Sequence, residues 1–221
     1  GSSASGEVKA IDPRAFYVGQ VLRTFAGNPT ESQEMNLAKH IDSQQQSITS
    51  LTGELAWRYG EGLATINTPK AQGAAGFLGQ AGRIALNDIR MDIQNEYATL
   101  LAIALDDKPL RDSARILIQT MTVERPFGFR ASNGKDGVIE NLGSYPFGVE
   151  KIDGTLTLPC PEATAPTVIA LDENGYALDT PVPITHNAEE KTITIQLPAT
   201  SVYCLVQRTQ QTAVNLPEPL W

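Results

Sequence analysis

Tyr97-Ala98-Thr99-Leu100-Leu101-Ala102-Ile103-Ala104-Leu105, then the charged turn Asp106-Asp107-Lys108-Pro109, then Arg115-Ile116-Leu117-Ile118-Gln119-Thr120-Met121-Thr122-Val123: this stretch decides the fold. The first run is apolar on both faces and the second is rich in Ile, Leu, Thr and Val, the composition of strands covered on both sides. Two central strands are predicted. Upstream, Leu51, Gly53, Leu55, Trp57 and Tyr59 fall on one face of an alternating segment, with Thr52, Glu54 and Arg58 on the other. Gly60-Glu61-Gly62 then reads as a turn and Leu63–Thr68 as the returning strand, so residues 47–68 are predicted to form a β-hairpin.

Downstream, Gly154–Leu158, Thr167–Asp172, Lys191–Leu197 and Ser201–Gln207 are each short, β-rich and bounded by turn residues. Asp172-Glu173-Asn174-Gly175 is the clearest of those turns. Phe16–Phe25 adds a further strand candidate. Helix is confined to one or two turns within Glu31–Ile41, and Ala71–Ala81, interrupted by Gly73, Gly76 and Gly79, is expected to run as a loop ending in a short strand. The sum is an all-β protein: an antiparallel β-sandwich, jelly-roll-like, of roughly ten short strands with little helix. Residues 1–10 read as a tag or linker, 11–210 as the sandwich module, with room for a smaller N-terminal sheet, and 211–221 as a C-terminal tail.

Composition narrows the function. The 221 residues are 41% hydrophobic and 19% charged, the balance of a folded globular protein. Seventeen Lys and Arg against 25 Asp and Glu leave a net charge of −8, which repels nucleic acid and anionic membranes alike. No apolar run approaches the length of a membrane span.

Cys160 and Cys204 are the only cysteines, too few for a zinc site of their own. Leu156, Leu158 and Cys160 share one face of an alternating segment, and Val202, Cys204 and Val206 share another, so both sulfurs are expected to point inward. They either close a disulfide, worth about 4 kcal/mol in the chain-entropy picture, or stay as two buried thiols.

No constellation of catalytic residues emerges. Glu54, Asp106 and Asp107 are expected to be solvated surface charges, and sequence spacing pairs no two carboxylates for glycosidic chemistry. G-x-S-x-G does not occur, and Gly73-Ala74-Ala75-Gly76 has no lysine following it to cradle a phosphate. His40 has no H-x-x-x-H companion, and His186 in Thr185-His186-Asn187 is expected in an exposed turn. No cofactor is called for. Asp172, Asn174 and Asp179 could offer oxygen ligands to Ca²⁺, but without EF-hand spacing a plain turn is the expectation.

Rings outside the alternating segments point to sugar. Arg125-Pro126-Phe127-Gly128-Phe129-Arg130 and Tyr145-Pro146-Phe147 lie in a long loop-like region, where a ring face can stack on a pyranose. Arg125, Phe127, Phe129, Tyr145 and Phe147 are therefore the candidate carbohydrate-binding residues. Trp57 joins them as a weaker candidate, because it shares a face with Leu55 and suits core packing.

Thr52-Gly53-Glu54-Leu55-Ala56-Trp57, Thr65-Ile66-Asn67-Thr68-Pro69-Lys70-Ala71-Gln72-Gly73 and Leu105-Asp106-Asp107-Lys108-Pro109-Leu110 with Ser113 and Arg115 resemble the β-sandwich accessory region of large secreted bacterial glycoside hydrolases. The resemblance runs over residues ~15–207. It implies a non-catalytic piece of a polysaccharide-processing enzyme that is secreted, cell-surface or periplasmic. The implied partners are a polysaccharide and a catalytic (β/α)₈ barrel of the same polypeptide. The chain is too short to hold that ~250-residue barrel as well, so no catalytic carboxylate carries over. Two other functions stay open: a structural buttress for the barrel without sugar affinity, and a sandwich-fold lyase or glycosidase in which His40 or His186 meets a tyrosine.

Overall fold

A computed structural model of the chain describes residues 12–20, 36–132, 137–161 and 165–208. The predicted tag and tail lie outside those residues. The chain forms two compact units, Gly1–Ala64 and Thr65–Trp221.

In the first unit the segment expected to open a strand at Phe16 forms a helical turn instead, α1 (Ala15–Val18). Asp12 causes this: its carboxylate accepts the Arg14 backbone N–H at 2.9 Å and its carbonyl accepts Ala15 N–H at 2.9 Å. Once the first amides are turned back on Asp12, the helical turn is the path that keeps them bonded. Residues 21–25 of the predicted strand lie outside the described residues, as do residues 31–35 of the helix candidate. The rest of that candidate is a 3-10 turn at Leu37–Lys39, where the Asn36 side chain accepts Ala38 N–H at 3.1 Å. Strands β1 (Ile41–Asp42), β2 (Ser47–Thr49) and β3 (Leu55–Arg58) follow in antiparallel pairing, with Ile48 opposite Trp57.

The strand predicted from Leu51 starts only at Leu55. Ser50 reverses the chain: its carbonyl accepts Gly53 N–H, its hydroxyl accepts Leu55 N–H, and Gly53 sits at φ +75°. Leu51 and Leu55 are consequently exposed rather than on a core face, while Ile48 and Leu63 are buried. Strand β4 (Leu63–Asn67) carries the chain past the boundary between the units.

The second unit continues with β5 (Ala71–Gly76), α2 (Leu78–Ala81), β6 (Ile84–Ala85), β7 (Arg90–Ile93), β8 (Ala98–Ala104) and β9 (Arg115–Met121). Then come β10 (Glu124–Phe127), β11 (Arg130–Ala131), β12 (Ile139–Asn141), β13 (Ser144–Val149) and β14 (Gly154–Pro159). The series ends with β15 (Thr167–Leu171), β16 (Ala177–Pro181), β17 (Ile184–Asn187), β18 (Thr192–Gln196) and β19 (Tyr203–Gln207). Two antiparallel sheets make a sandwich, one in the order β5-β8-β9-β19-β15-β16 and the other β17-β18-β14-β7-β6. Strands outnumber the expected ten because several span only two to four residues, too few for alternation to register.

The deciding stretch forms adjacent central strands: β8 and β9 pair along their lengths, and alternate residues of both are buried. Register sets Gln72, Ala102, Ile118, Cys204 and Ala170 in one buried row across the first sheet. Met91, Leu156 and Ile195 make a buried row of the second sheet, and Leu158 and Ile193 sit in the next. Burial of these aliphatic chains at roughly 1.5–3 kcal/mol each supplies the main stabilisation of the unit.

Ala71–Gly76, expected as a loop, is a full strand paired with β8, and α2 replaces the short strand predicted after it. Gly73 explains the misreading: a Cβ there would lie 2.2 Å from the Leu100 carbonyl oxygen, so glycine is present for close approach of two strands rather than for a turn.

Cys160 and Cys204 are buried thiols without a disulfide between them. Cys204 lies in β19, between β9 and β15, whereas Cys160 follows β14, between β7 and β18, so the two thiols belong to different sheets. Burial pushes the Cys204 thiol up to about 12.

Candidate functional site: an exposed ribbon

Between β9 and β14 the chain leaves the sandwich and returns as a β-ribbon. Its neck is tied: Glu150 N–H donates to the Val123 carbonyl at 3.0 Å, and the Thr122 hydroxyl donates to the Glu150 carbonyl. Behind the neck the Asn95 side chain donates to Lys151 O at 2.8 Å and accepts Asp153 N–H at 2.8 Å. This buried amide therefore fixes the point where the ribbon rejoins the core.

Beyond the neck, β10 pairs with β13 in the register Glu124↔Val149, Arg125↔Gly148 and Pro126↔Phe147. Pro126 carbonyl accepts Phe129 N–H at 3.0 Å, with Gly128 at φ +78° in the third position of the turn, where a side chain would be strained. Gly143, at φ +73°, turns the chain into β13, its N–H donating to Asn141 Oδ1 at 2.9 Å. The tip is the second strand pair, β11 with β12.

Five of the six sequence-predicted residues meet on this ribbon. Phe127 is 75% exposed, Tyr145 85% and Phe147 58%. Phe129 is half-buried, with the Arg125 guanidinium 5.2 Å from its ring centroid, a cation–π pair that holds the arginine in place. Cross-strand partners share a face, so Pro126 and Phe147 lie together, on the opposite side from Arg125. Trp57 does not belong to this group: it lies in the first unit, half-buried between Tyr17 and Tyr59 with ring centroids at 4.6 and 5.5 Å.

The sequence reading missed the exposed aliphatic residues of the same ribbon. Val138, Ile139, Leu142 and Val149 are all exposed. They have no ring to single them out, and strands without a buried face show no alternation; the only available signal was the density of apolar residues between Pro126 and Val149.

The remaining candidates resolve individually. Asp172 caps its own turn, Oδ1 accepting Asn174 N–H at 2.9 Å and Tyr176 N–H at 2.8 Å, and no group of three acidic, His or Cys side chains suited to a metal ion occurs among the described residues. His186 is in β17 rather than in an exposed turn, opposite Ile193, because Ile184 and His186 alternate inward while Thr185 and Asn187 face out. Its Nε2 is buried with no partner, and among the described residues no hydrogen bond joins either histidine to a tyrosine. No helix among the described residues is long and apolar enough to cross a membrane. No protein family, curated protein or solved structure matches the chain.

Proposed function

We propose that this chain is a non-catalytic β-sandwich module of a secreted polysaccharide-degrading enzyme, and that the ribbon of residues 124–149 is its sugar-contacting element. The observation that carries the reading is the exposure of Phe127, Tyr145 and Phe147 on a hydrogen-bonded ribbon with a tied neck. Rings so exposed add little to folding, and a ribbon that carries several of them is suited to a ligand. An aromatic side chain has only two torsions to fix, so it presents a stacking face at small entropic cost. The net charge of −8 favours a neutral polysaccharide over an anionic one.

Affinity electrophoresis through gels cast with neutral or anionic polysaccharides tests this. A neutral polymer retards the wild-type domain, and the double variant Tyr145→Ala, Phe147→Ala runs unretarded while keeping its melting temperature. Absence of retardation in every gel contradicts the proposal.

A second reading has its own observation. Val138, Ile139, Leu142 and Val149 are aliphatic and suit a protein surface better than a sugar, so the ribbon would pack on the barrel of the same polypeptide as a buttress. That version predicts no retardation, together with self-association of the isolated module that an Ile139→Lys, Leu142→Lys variant abolishes.

A further inference from the structure

Separate from the ribbon, the second unit contains a cleft of about 460 Å³ at the end of the sandwich where the β6–β7, β8–β9 and β17–β18 turns converge over the end of β14. That volume lies within the usual ~300–1,000 Å³ range of small-molecule sites. We propose that this cleft is a binding site for a neutral, polyhydroxylated ligand, of which a sugar unit is the commonest kind. The proposal does not depend on what the ribbon binds.

Three features support it. First, the cleft is held rigidly from behind. The Arg208 guanidinium donates to the carbonyls of Leu110, at 3.1 Å, Arg111, at 2.6 Å, and Pro159, linking the β8–β9 turn to the end of β14. Cys160 N–H donates to Lys191 O at 2.6 Å, and Asn187 Oδ1 accepts Glu189 and Glu190 N–H, which fixes the β17–β18 turn. A preformed wall lowers the entropic cost of taking up a weakly held ligand.

Second, the buried charge at the site is already matched. The Asp88 side chain is 7% exposed; Oδ1 lies 2.9 Å from the Arg111 guanidinium, and Oδ2 accepts from the buried Gln72 amide at 2.6 Å. Gln72 returns the contact, its Oε1 accepting Asp88 N–H at 2.8 Å. With Asp88 and Arg111 paired, the charged groups left on the lining are Arg90 and Lys191 against Asp112 and Glu190. Two cations and two anions give no net field to select a phosphate or a metal ion. They do offer donors and acceptors in equal supply, which a hydroxyl, itself both donor and acceptor, can satisfy.

Third, the polar groups are interleaved with Leu86, Pro159 and Pro161. These provide apolar contact for the C–H face of such a ligand, without the ring needed to stack a planar base.

The test is a set of ¹H–¹⁵N correlation spectra recorded on the whole chain, titrated in turn with maltose, cellobiose, mannobiose, sodium phosphate and calcium chloride. Lys191 sits at φ +52°, so Lys191→Gly removes the ammonium and suits the backbone, and Glu190→Gln changes an exposed side chain. The expected result is saturable shifts at the amides of Asp88, Arg111 and Lys191 with at least one disaccharide. Affinity falls several-fold in each variant and stays unchanged in Tyr145→Ala, Phe147→Ala. Shifts with phosphate or calcium alone, no shifts with any of the three disaccharides, or disaccharide shifts insensitive to both variants would each overturn the proposal.

Discussion

Strands β8 and β9 and the ribbon strands β10 and β13 are built from the same kind of hydrogen-bonded antiparallel pair, yet they differ in what their side chains do. In β8 every second residue is buried, from Ala98 to Ala104; in β13 all six residues are exposed. The first pair is held by what it packs against. The second is held by its ladder, by its turns at Gly128 and Gly143 and by its neck at Val123–Glu150. A two-stranded ribbon is marginal by itself in water, so attachment to a stable sandwich is what allows it to keep large apolar side chains in solvent. The core supplies stability and the ribbon supplies surface.

Substitutions separate the two roles. Ile118→Ala, in the middle of β9, is expected to lower the unfolding free energy by about 3 kcal/mol in urea titrations, since it removes a fully buried aliphatic chain and leaves a cavity. Glycines give the next contrast. Gly73→Ala forces a Cβ against the Leu100 carbonyl and is expected to cost about 2 kcal/mol, whereas Gly148→Ala on β13, with nothing within 4 Å of the added methyl, is expected to leave the melting temperature unchanged. Equal effects of those two substitutions would break the comparison.

A smaller effect concerns the turn between the central strands. Burial pushes the Asp106 carboxyl upward, but hydrogen bonds from Ala114 N–H, the Ser113 hydroxyl and Lys108 N–H outweigh it and hold the group below its ordinary value. A carboxylate with a depressed folded-state value contributes stability above its unfolded value of roughly 3.9, and loses it as pH falls through the lower folded value. Asp106→Asn is therefore expected to cost about 1 kcal/mol at pH 7, with the difference from wild type closing at a pH below the folded-state value in acid-denaturation curves. A gap that persists at that pH would show that the charge is not responsible. Smallest of all, Phe147→Ala is expected to change stability by less than about 0.5 kcal/mol, because the ring is already mostly in water.

The same contrast explains what could be read from the sequence. The central pair was legible because both runs are long and rich in apolar and β-branched residues, although burial falls on only every second residue of each, Ala98 to Ala104 and Ile116 to Thr120. Strand β5 was not, because Gly73 follows a tertiary demand, the approach of β8, that local propensity reads as a loop. The helical turn at Ala15–Val18 depends on Asp12 capturing nearby amides, a local bond that apolar spacing does not register. At the ribbon, rings among prolines and glycines marked Arg125, Phe127, Phe129, Tyr145 and Phe147, but the pairing of Glu124 with Val149 left no trace, since neither strand has a buried face. Trp57 shares only ring chemistry with them, which sequence cannot tell from a ring packed between Tyr17 and Tyr59. The Asp88 cleft was invisible because its walls come from separate turns, each polar and unremarkable in sequence.

The most direct test of the division between core and ribbon is excision. Glu150 N–H already bonds to the Val123 carbonyl, so residues 124–149 can be replaced by a short glycine link without moving either neck residue. The measurement is affinity electrophoresis of the excised and intact chains in neutral polysaccharide, with thermal melts alongside. The account predicts that the excised chain melts within a few degrees of the intact one and is no longer retarded. An excised chain that is retarded as strongly as the intact one, or that fails to fold, would contradict it.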